Sequence, residues 1–231
     1  VMDASVVIWT TTPWTIPVNQ AIAYGADVEY SLLRIGAVSR DGAVVSPFLG
    51  KAVLIASGLA DDFDKRTGHM GTEQLWSGKG SQLAGTMVRH PMAAAFPDSP
   101  FYTRLRPMLD GSDFVTTESG TGLVHMAPDH GEDECALCKA HGIDPVFAVG
   151  ADGVYRDDWP WLGAHDERRR AVINPNFNAP DGPICTDLKQ AGALLSASTD
   201  YQHSYPHSWR SKKKVIYRCT PQWFVPMDRP M

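Results

Sequence analysis

With 231 residues, 43% of them hydrophobic, the chain is long enough for one large domain or two small ones and can build a substantial core. A formal net charge of −5 excludes a generally basic nucleic-acid binder, so any contact with a phosphate backbone has to be local. Four cysteines exclude a disulfide scaffold and fit a reducing compartment; the sequence has neither a signal-peptide pattern nor an apolar run of membrane length, so a cytoplasmic protein without membrane contact is expected.

In chain order, the β-branched run at 4–9 (ASVVIW) reads as a buried strand. It breaks into Thr10, Thr11, Thr12 and a Pro-Trp-Thr turn. Pro13 and Pro17 fix φ and lack N–H groups, so they bracket a rigid loop rather than a helix. Strands are expected over 29–35 and 43–49, the second after the Asp41-Gly42 turn signal. Over 52–67, Ile55, Leu59 and Phe63 recur every four residues and predict a helix closed by Gly68. Further strands are expected over 69–80 and 83–90, then a proline-broken connection over 91–107. Residues 123–126 form a short strand, and 132–141 a helix ending at Gly142. The stretch 152–178, rich in Trp, Pro, Asn and Arg, reads as a long functional loop, or as an insertion reaching to 182. A short helix is expected over 187–195 and a late strand over 213–218. The sum is mixed α/β but β-rich: a β-barrel core with peripheral helices in a single domain.

Two stretches carry chemistry. Thr10, Thr11, Thr12, Thr15, Asn19 and two indoles on a stiff loop make a small polar pocket with an aromatic wall; the same residues would equally serve an edge strand. The second is Gly120-Thr121-Gly122 followed by His125, Asp129, His130, Glu132, Asp133 and Glu134, where the glycines permit close backbone approach. The spacing of His125 and His130, with a proline between, matches no helical ligand pair, so no metal site is expected. Acids in a first helical turn complement the helix dipole and account for one or two of the carboxylates. Cys135 and Cys138 fall inside the expected helix and read as packing. The basic run Lys212-Lys213-Lys214 is either a solvated face or a weak phosphate contact, whereas Arg168-Arg169-Arg170 sits beside Asp166 and Glu167 and pairs with itself.

Three segments, TTTPWTIPVNQAIA (10–23), GTGLVHMAPDHG (120–131) and YPHSWRSKKKVIYRCTPQWF (205–224), together resemble the editing domain of isoleucyl-tRNA synthetase. They lie at the start, middle and end, so the resemblance covers essentially the whole chain, which then reads as a piece of a longer synthetase. Thr12-Pro13-Trp14-Thr15 and His125 favour the isoleucyl over the related valyl and leucyl members. The ATP-dependent ligase signatures are absent: there is no His-x-Gly-His, and Ser211-Lys212-Lys213-Lys214 is not a Lys-Met-Ser-Lys-Ser loop.

The resemblance implies hydrolysis of the ester of valine mischarged onto isoleucine tRNA. One methylene changes binding by only ~1–3 kcal/mol, a limit for which the isoleucyl enzyme is itself a standard illustration, so a second site must remove what is small enough to enter. By resemblance, Thr10, Thr11 and Thr12, with loop N–H groups, hold the water and the ester. Trp14 and Thr15 line the side-chain pocket, Asn19 supports the loop, and His125 is the wall that excludes isoleucine. The terminal adenosine of the tRNA sits between the loop and Gly120-Thr121-Gly122. No general base stands out, and a ribose hydroxyl is implied to help activate water without a metal or cofactor. The implied partners are the charged 3′ end of tRNA and the rest of the synthetase, with the domain a monomer. The alternatives are a non-catalytic tRNA-binding module or the editing domain of the related valyl or leucyl enzyme. One departure stands out: the family pattern ends His-Gly-x-Asp-Asp-aromatic, whereas this chain reads His130-Gly131-Glu132-Asp133-Glu134-Cys135. Glu134 thus falls where an Asp holds the substrate ammonium.

Overall fold

The computed structural model describes residues 3–36, 46–69, 73–202, 204–225 and 227–228. The turn expected at 41–42, the start of the strand expected over 43–49, and residues 70–72 lie outside these. The strands are β1 (Ala4–Val6), β2 (Ala21–Tyr24), β3 (Glu29–Arg34), β4 (Ala52–Ala56), β5 (Glu73–Lys79), β6 (Met87–Val88), β7 (Arg106–Asp110) and β8 (Leu123–Met126). The helices are α1 (Ala60–Thr67), α2 (Pro100–Thr103), α3 (Glu132–Ala140), α4 (Pro175–Asn178) and α5 (Pro183–Gln190), with 3-10 turns at Pro13–Val18, Ser57–Leu59 and Gly80–Leu83.

The architecture is mixed α/β. Its strands pair in two four-stranded sheets, ordered β1-β4-β3-β5 and β6-β7-β2-β8. Pairing among the described residues does not join them into one continuous barrel. Strand alternation divides the apolar residues between layers. Ile22, Tyr24, Tyr30, Leu54, Met108 and Leu123 fill the space between the sheets. On the other side of β2, Ala21 and Ala23 pack with Met126 and with Cys138 of α3. On the other side of β4, Val53 and Ile55 pack with Phe63 of α1. The order is therefore helix, sheet, sheet, helix. The sheets are tied by Ala56 N–H donating to Thr121 O at 2.8 Å and by Tyr30 Oη–H donating to Gly122 O at 2.6 Å.

Several expectations are corrected. β1 is short and mostly exposed at a sheet edge, because beyond Val6 the chain leaves β4 to build the threonine loop. The four-residue period over 52–67 spans two elements: Ile55 belongs to buried β4, and the helix starts at Ala60. Gly68 does cap it, with φ +71°. The strand expected over 83–90 is only Met87–Val88, whereas the proline-broken connection holds α2 and the start of β7. The late strand at 213–218 reduces to one bridge between His207 and Lys214. Residues 152–178 lack regular structure apart from α4, yet they supply Tyr155, Trp159, Trp161 and Phe177 to the largest core cluster.

Candidate active site

The threonine loop is a buried 3-10 turn whose carbonyls are braced from outside. Pro13 opens the turn, where a missing N–H costs nothing, and Pro17 lies within it. Tyr155 Oη–H donates to Trp14 O, His90 Nε2–H to Ile16 O at 3.0 Å, and Tyr102 Oη–H to Pro17 O at 2.9 Å. All three braces come from residues far along the chain, so the loop is held by the Trp- and Tyr-rich core beneath it.

Above the turn, one chain of hydrogen bonds reaches His125 on β8. The Asn19 amide donates to Ala21 O at 2.9 Å and, over a long 3.5 Å, to His125 Nδ1. An acceptor at Nδ1 places the imidazole proton on Nε2, which donates to Thr15 Oγ1 at 2.9 Å. Thr15 Oγ1–H then donates to Thr12 O at 2.9 Å. Both ring nitrogens are thereby occupied. Burial, with His130 nearby, pushes the His125 pKa down to about 4, so the ring is neutral at physiological pH.

These residues border a cavity of about 230 Å³ lined by Trp9, Thr10, Thr11, Thr12, Thr15, Val124, His125, Ala127, His130 and Glu134. Within the loop, Thr12 N–H donates to Thr10 Oγ1 at 3.0 Å, the Thr10 and Thr12 hydroxyls lie 3.2 Å apart, and Thr15 N–H donates to Thr12 O. The amides of Thr12 and Thr15 are thus committed to the loop itself. Thr11 lines the cavity and makes no side-chain hydrogen bond among the described residues.

Glu134 lies at the first turn of α3 with its carboxylate over Gly131, where a Cβ would stand only 1.2 Å from Oε2. Burial, reinforced by Asp133, raises its pKa to about 7. Asp133 itself is exposed. Asp129 is structural: its carboxylate accepts Val146 N–H at 3.1 Å and Phe147 N–H at 2.5 Å. His130 Nδ1–H donates to Tyr217 O at 2.8 Å, and Cys219 N–H donates to Asp129 O at 2.8 Å, so the segment around 217–219 clasps the Asp129-His130 turn.

Of the residues singled out from the sequence, the structure brings Thr10, Thr11, Thr12, Thr15, His125 and Glu134 to one cavity, with Asn19 behind His125. The Trp14 side chain is buried outside the cavity lining and meets the His130 ring edge-on at 4.5 Å. Gly120, Thr121 and Gly122 form a turn against β4 and the loop: a Cβ on Gly120 would lie 3.3 Å from the Trp9 ring, and one on Gly122 only 2.3 Å from Ala56 Cβ. Lys212, Lys213 and Lys214 are exposed and away from this cavity. Lys214 instead lines a separate one of about 390 Å³ with Arg218, Gly153 and Ile216. Arg168 and Arg169 pair with Asp166, Asp187 and Asp157. Among the described residues no group of three His, Cys, Asp or Glu could hold a metal ion, and no helix is long and apolar enough to cross a membrane. Sequence reasoning counted Trp9 only as one of two indoles in an aromatic wall and His130 only as a member of the polar cluster, weighed with His125 as a metal ligand; it placed neither at the edge of this cavity.

Comparison with known proteins adds the family. No family profile matches the chain. It is 54% identical over 97% of its length to the isoleucine--tRNA ligase of Zymomonas mobilis, 42% over 97% to that of Gluconobacter oxydans, and 40% over 98% to that of Shewanella amazonensis. These relatives place the chain among the aminoacyl-tRNA synthetases. Within them it belongs to the isoleucine--tRNA ligase family, and it spans about a fifth of its relatives' length, 22% of the first. Similar solved structures include GlLeuRS-CP1, with a TM-score of 0.45 and 17% identity over 60% of this chain and 45% of that one. The editing domain of the P. falciparum cytosolic leucyl-tRNA synthetase gives a TM-score of 0.43 and 12% identity over 57% of this chain and 43% of its own.

Proposed function

We propose that this chain is a hydrolytic editing unit of its synthetase, removing valine from mischarged isoleucine tRNA in the cytoplasm. The observation that carries the reading is the neutral, doubly tied His125 forming one wall of a small threonine-lined cavity. A wall with both nitrogens engaged does not swing aside, so it can sort ligands by a single methyl or methylene. The threonine hydroxyls supply donors and acceptors for a water and for the ester, and Thr11 is uncommitted among them. The Glu134 carboxylate supplies the counter-charge for the α-ammonium.

In this mechanism water adds to the ester carbonyl and the tetrahedral adduct collapses. The ribose oxygen leaves with the proton that the water gives up, so the products are free valine and uncharged tRNA. A ribose hydroxyl assists the proton transfer, and no metal or cofactor takes part in any step. The remaining four fifths of the synthetase and the tRNA 3′ end are the partners, and the chain acts as a monomer.

The test is deacylation of isoleucine tRNA charged with valine or with isoleucine. Release of valine with isoleucine spared is the expected result. Binding of both tRNAs with hydrolysis of neither would make the chain a non-catalytic tRNA module, and loss of activity in chelator would make it a metal hydrolase.

A further inference from the structure

Cys135 and Cys138 share one helix but have different surroundings. Cys138 is fully buried with Ala21, Ala23 and Met126 behind β2. Cys135 is half-buried, lies outside that core cluster, and meets the thiol of Cys219 from the clasp. Their backbones hang on carbonyls only two residues apart. Cys219 N–H donates to Asp129 O at 2.8 Å, and Cys135 N–H donates to Gly131 O at 3.0 Å. The Cys219 thiol itself donates to Pro128 O at 3.5 Å, so the hydrogen bond between the thiols runs from Cys135 to the Cys219 sulfur.

All four thiols are free, and Cys135 and Cys219 are the two that are not buried. Burial, with Glu134 and Cys135 beside it, pushes the Cys138 thiol up to about 12, so it stays protonated and inert. Burial and the neighbouring Cys135 also push the Cys219 thiol up, which suits it to react second, once its partner sulfur has been made electrophilic. Two sulfurs in contact on separately anchored backbones are the starting geometry of a disulfide.

We propose that Cys135 and Cys219 are a peroxide-sensitive thiol pair whose disulfide fastens the clasp to α3. The Cys135 sulfur takes one oxygen from hydrogen peroxide and becomes a sulfenic acid, and the other oxygen leaves as water. The Cys219 sulfur then attacks the Cys135 sulfur. The S–S bond forms, the S–O bond breaks, and the hydroxyl departs as a second water with the proton of the Cys219 thiol. The two sulfurs together give up the two electrons that the peroxide accepts. Cys135 directly follows Glu134, so the cross-link also ties the clasp to the turn that carries the cavity carboxylate. The pair reacts in this way whether or not the chain hydrolyses an ester.

The experiment treats the folded chain with hydrogen peroxide, blocks the remaining thiols with N-ethylmaleimide after unfolding, and maps a non-reducing digest by mass spectrometry. The expected product is one cross-linked pair of peptides, holding Cys135 and Cys219, with Cys138 and Cys185 recovered as blocked thiols. Cys135→Ser and Cys219→Ser should each eliminate the cross-link and should melt with the reduced parent. Peroxide should raise the melting temperature of the parent by several degrees, because the bond closes a long loop of the unfolded chain, and reductant should reverse the rise. Neither serine variant should show it. A bond from Cys135 to Cys138, over-oxidation of either thiol without a cross-link, or a cross-link formed only in denaturant would overturn the pair. A cross-link that leaves the melting temperature unchanged would overturn its action as a fastener.

Discussion

Thr15 and His125 are 110 residues apart in the chain and 2.9 Å apart in the fold. This single contact joins the proline-bracketed loop to β8, and through Thr12 O on one side and Asn19 on the other it fixes the orientation of the imidazole. The fixed ring is what gives the cavity a defined size.

If His125 sets that size, His125→Ala should admit isoleucine. Deacylation of correctly charged isoleucine tRNA should rise, with discrimination between the two amino acids reduced by about 1–3 kcal/mol, the worth of one methylene. Since Thr15 would also lose its partner, Thr15→Val is the companion change and should loosen selectivity in the same direction. Selectivity unchanged in His125→Ala would leave His125 as a packed core residue.

Thr11 and Thr12 should differ in kind. Thr11→Ala removes a hydroxyl with no partner among the described residues, so kcat should fall while the melting temperature stays put. A donor facing developing charge is worth about 2.7–4 kcal/mol. Thr12→Ala also removes the contact to Thr10 Oγ1, so it should lower both activity and stability. Single-turnover deacylation alongside thermal melts separates the two.

Glu134 makes the pH dependence testable. Its pKa of about 7 lies above the ordinary carboxylate value because burial and Asp133 disfavour the charge. If the charged form anchors the ammonium, deacylation should rise through pH 7 and flatten above it. Stability runs the other way. A carboxyl whose folded pKa is raised stabilises the fold fully below its unfolded pKa of 4.5, and that contribution is lost as the pH rises through 7. Glu134→Gln should therefore be inactive at every pH, yet melt higher than the parent at pH 8 and no higher at pH 4. Glu134→Asp should keep or improve activity, and Asp133→Ala, on an exposed side chain, should change little. An inactive Asp133→Ala would shift the ammonium role by one residue.

Tyr155→Phe tests the brace under the loop. It leaves the buried Trp14 carbonyl without its donor, a loss of about 1–3 kcal/mol by urea denaturation. Without a change in denaturation midpoint, the braces from His90 and Tyr102, together with the prolines, would suffice to hold the loop.

Much of the site was legible because the loop and β8 are local in sequence. Thr10 to Asn19 announce a rigid polar segment through two prolines. Those prolines also predict a loop rather than a helix, whereas Pro13–Val18 is a 3-10 helix with Pro13 at its start and Pro17 within it. Residues 123–126 form the strand expected of them. The remainder depends on distance. Nothing near Trp14, Ile16 or Pro17 says that Tyr155, His90 and Tyr102 will brace their carbonyls, because those partners lie 74 or more residues away. The period over 52–67 misled for a related reason: a fully buried strand and the apolar face of the following helix share Ile55, Leu59 and Phe63, and apolar spacing alone does not separate them. Trp14 looked like a pocket residue by composition, whereas the fold places its indole against His130 and gives the cavity edge to Trp9.

The clasp around Tyr217 and Cys219 has a consequence for the order of assembly. A ribosome releases the loop, β8 and Glu134 well before the segment that holds the Asp129-His130 turn. During synthesis both sheets can pair while this edge of the cavity is still open, and the site closes only once residues 217–219 have emerged as well. A nascent chain stalled before residue 217 would carry the threonines and His125 in a folded scaffold, yet lack the strap that fixes the turn leading into α3.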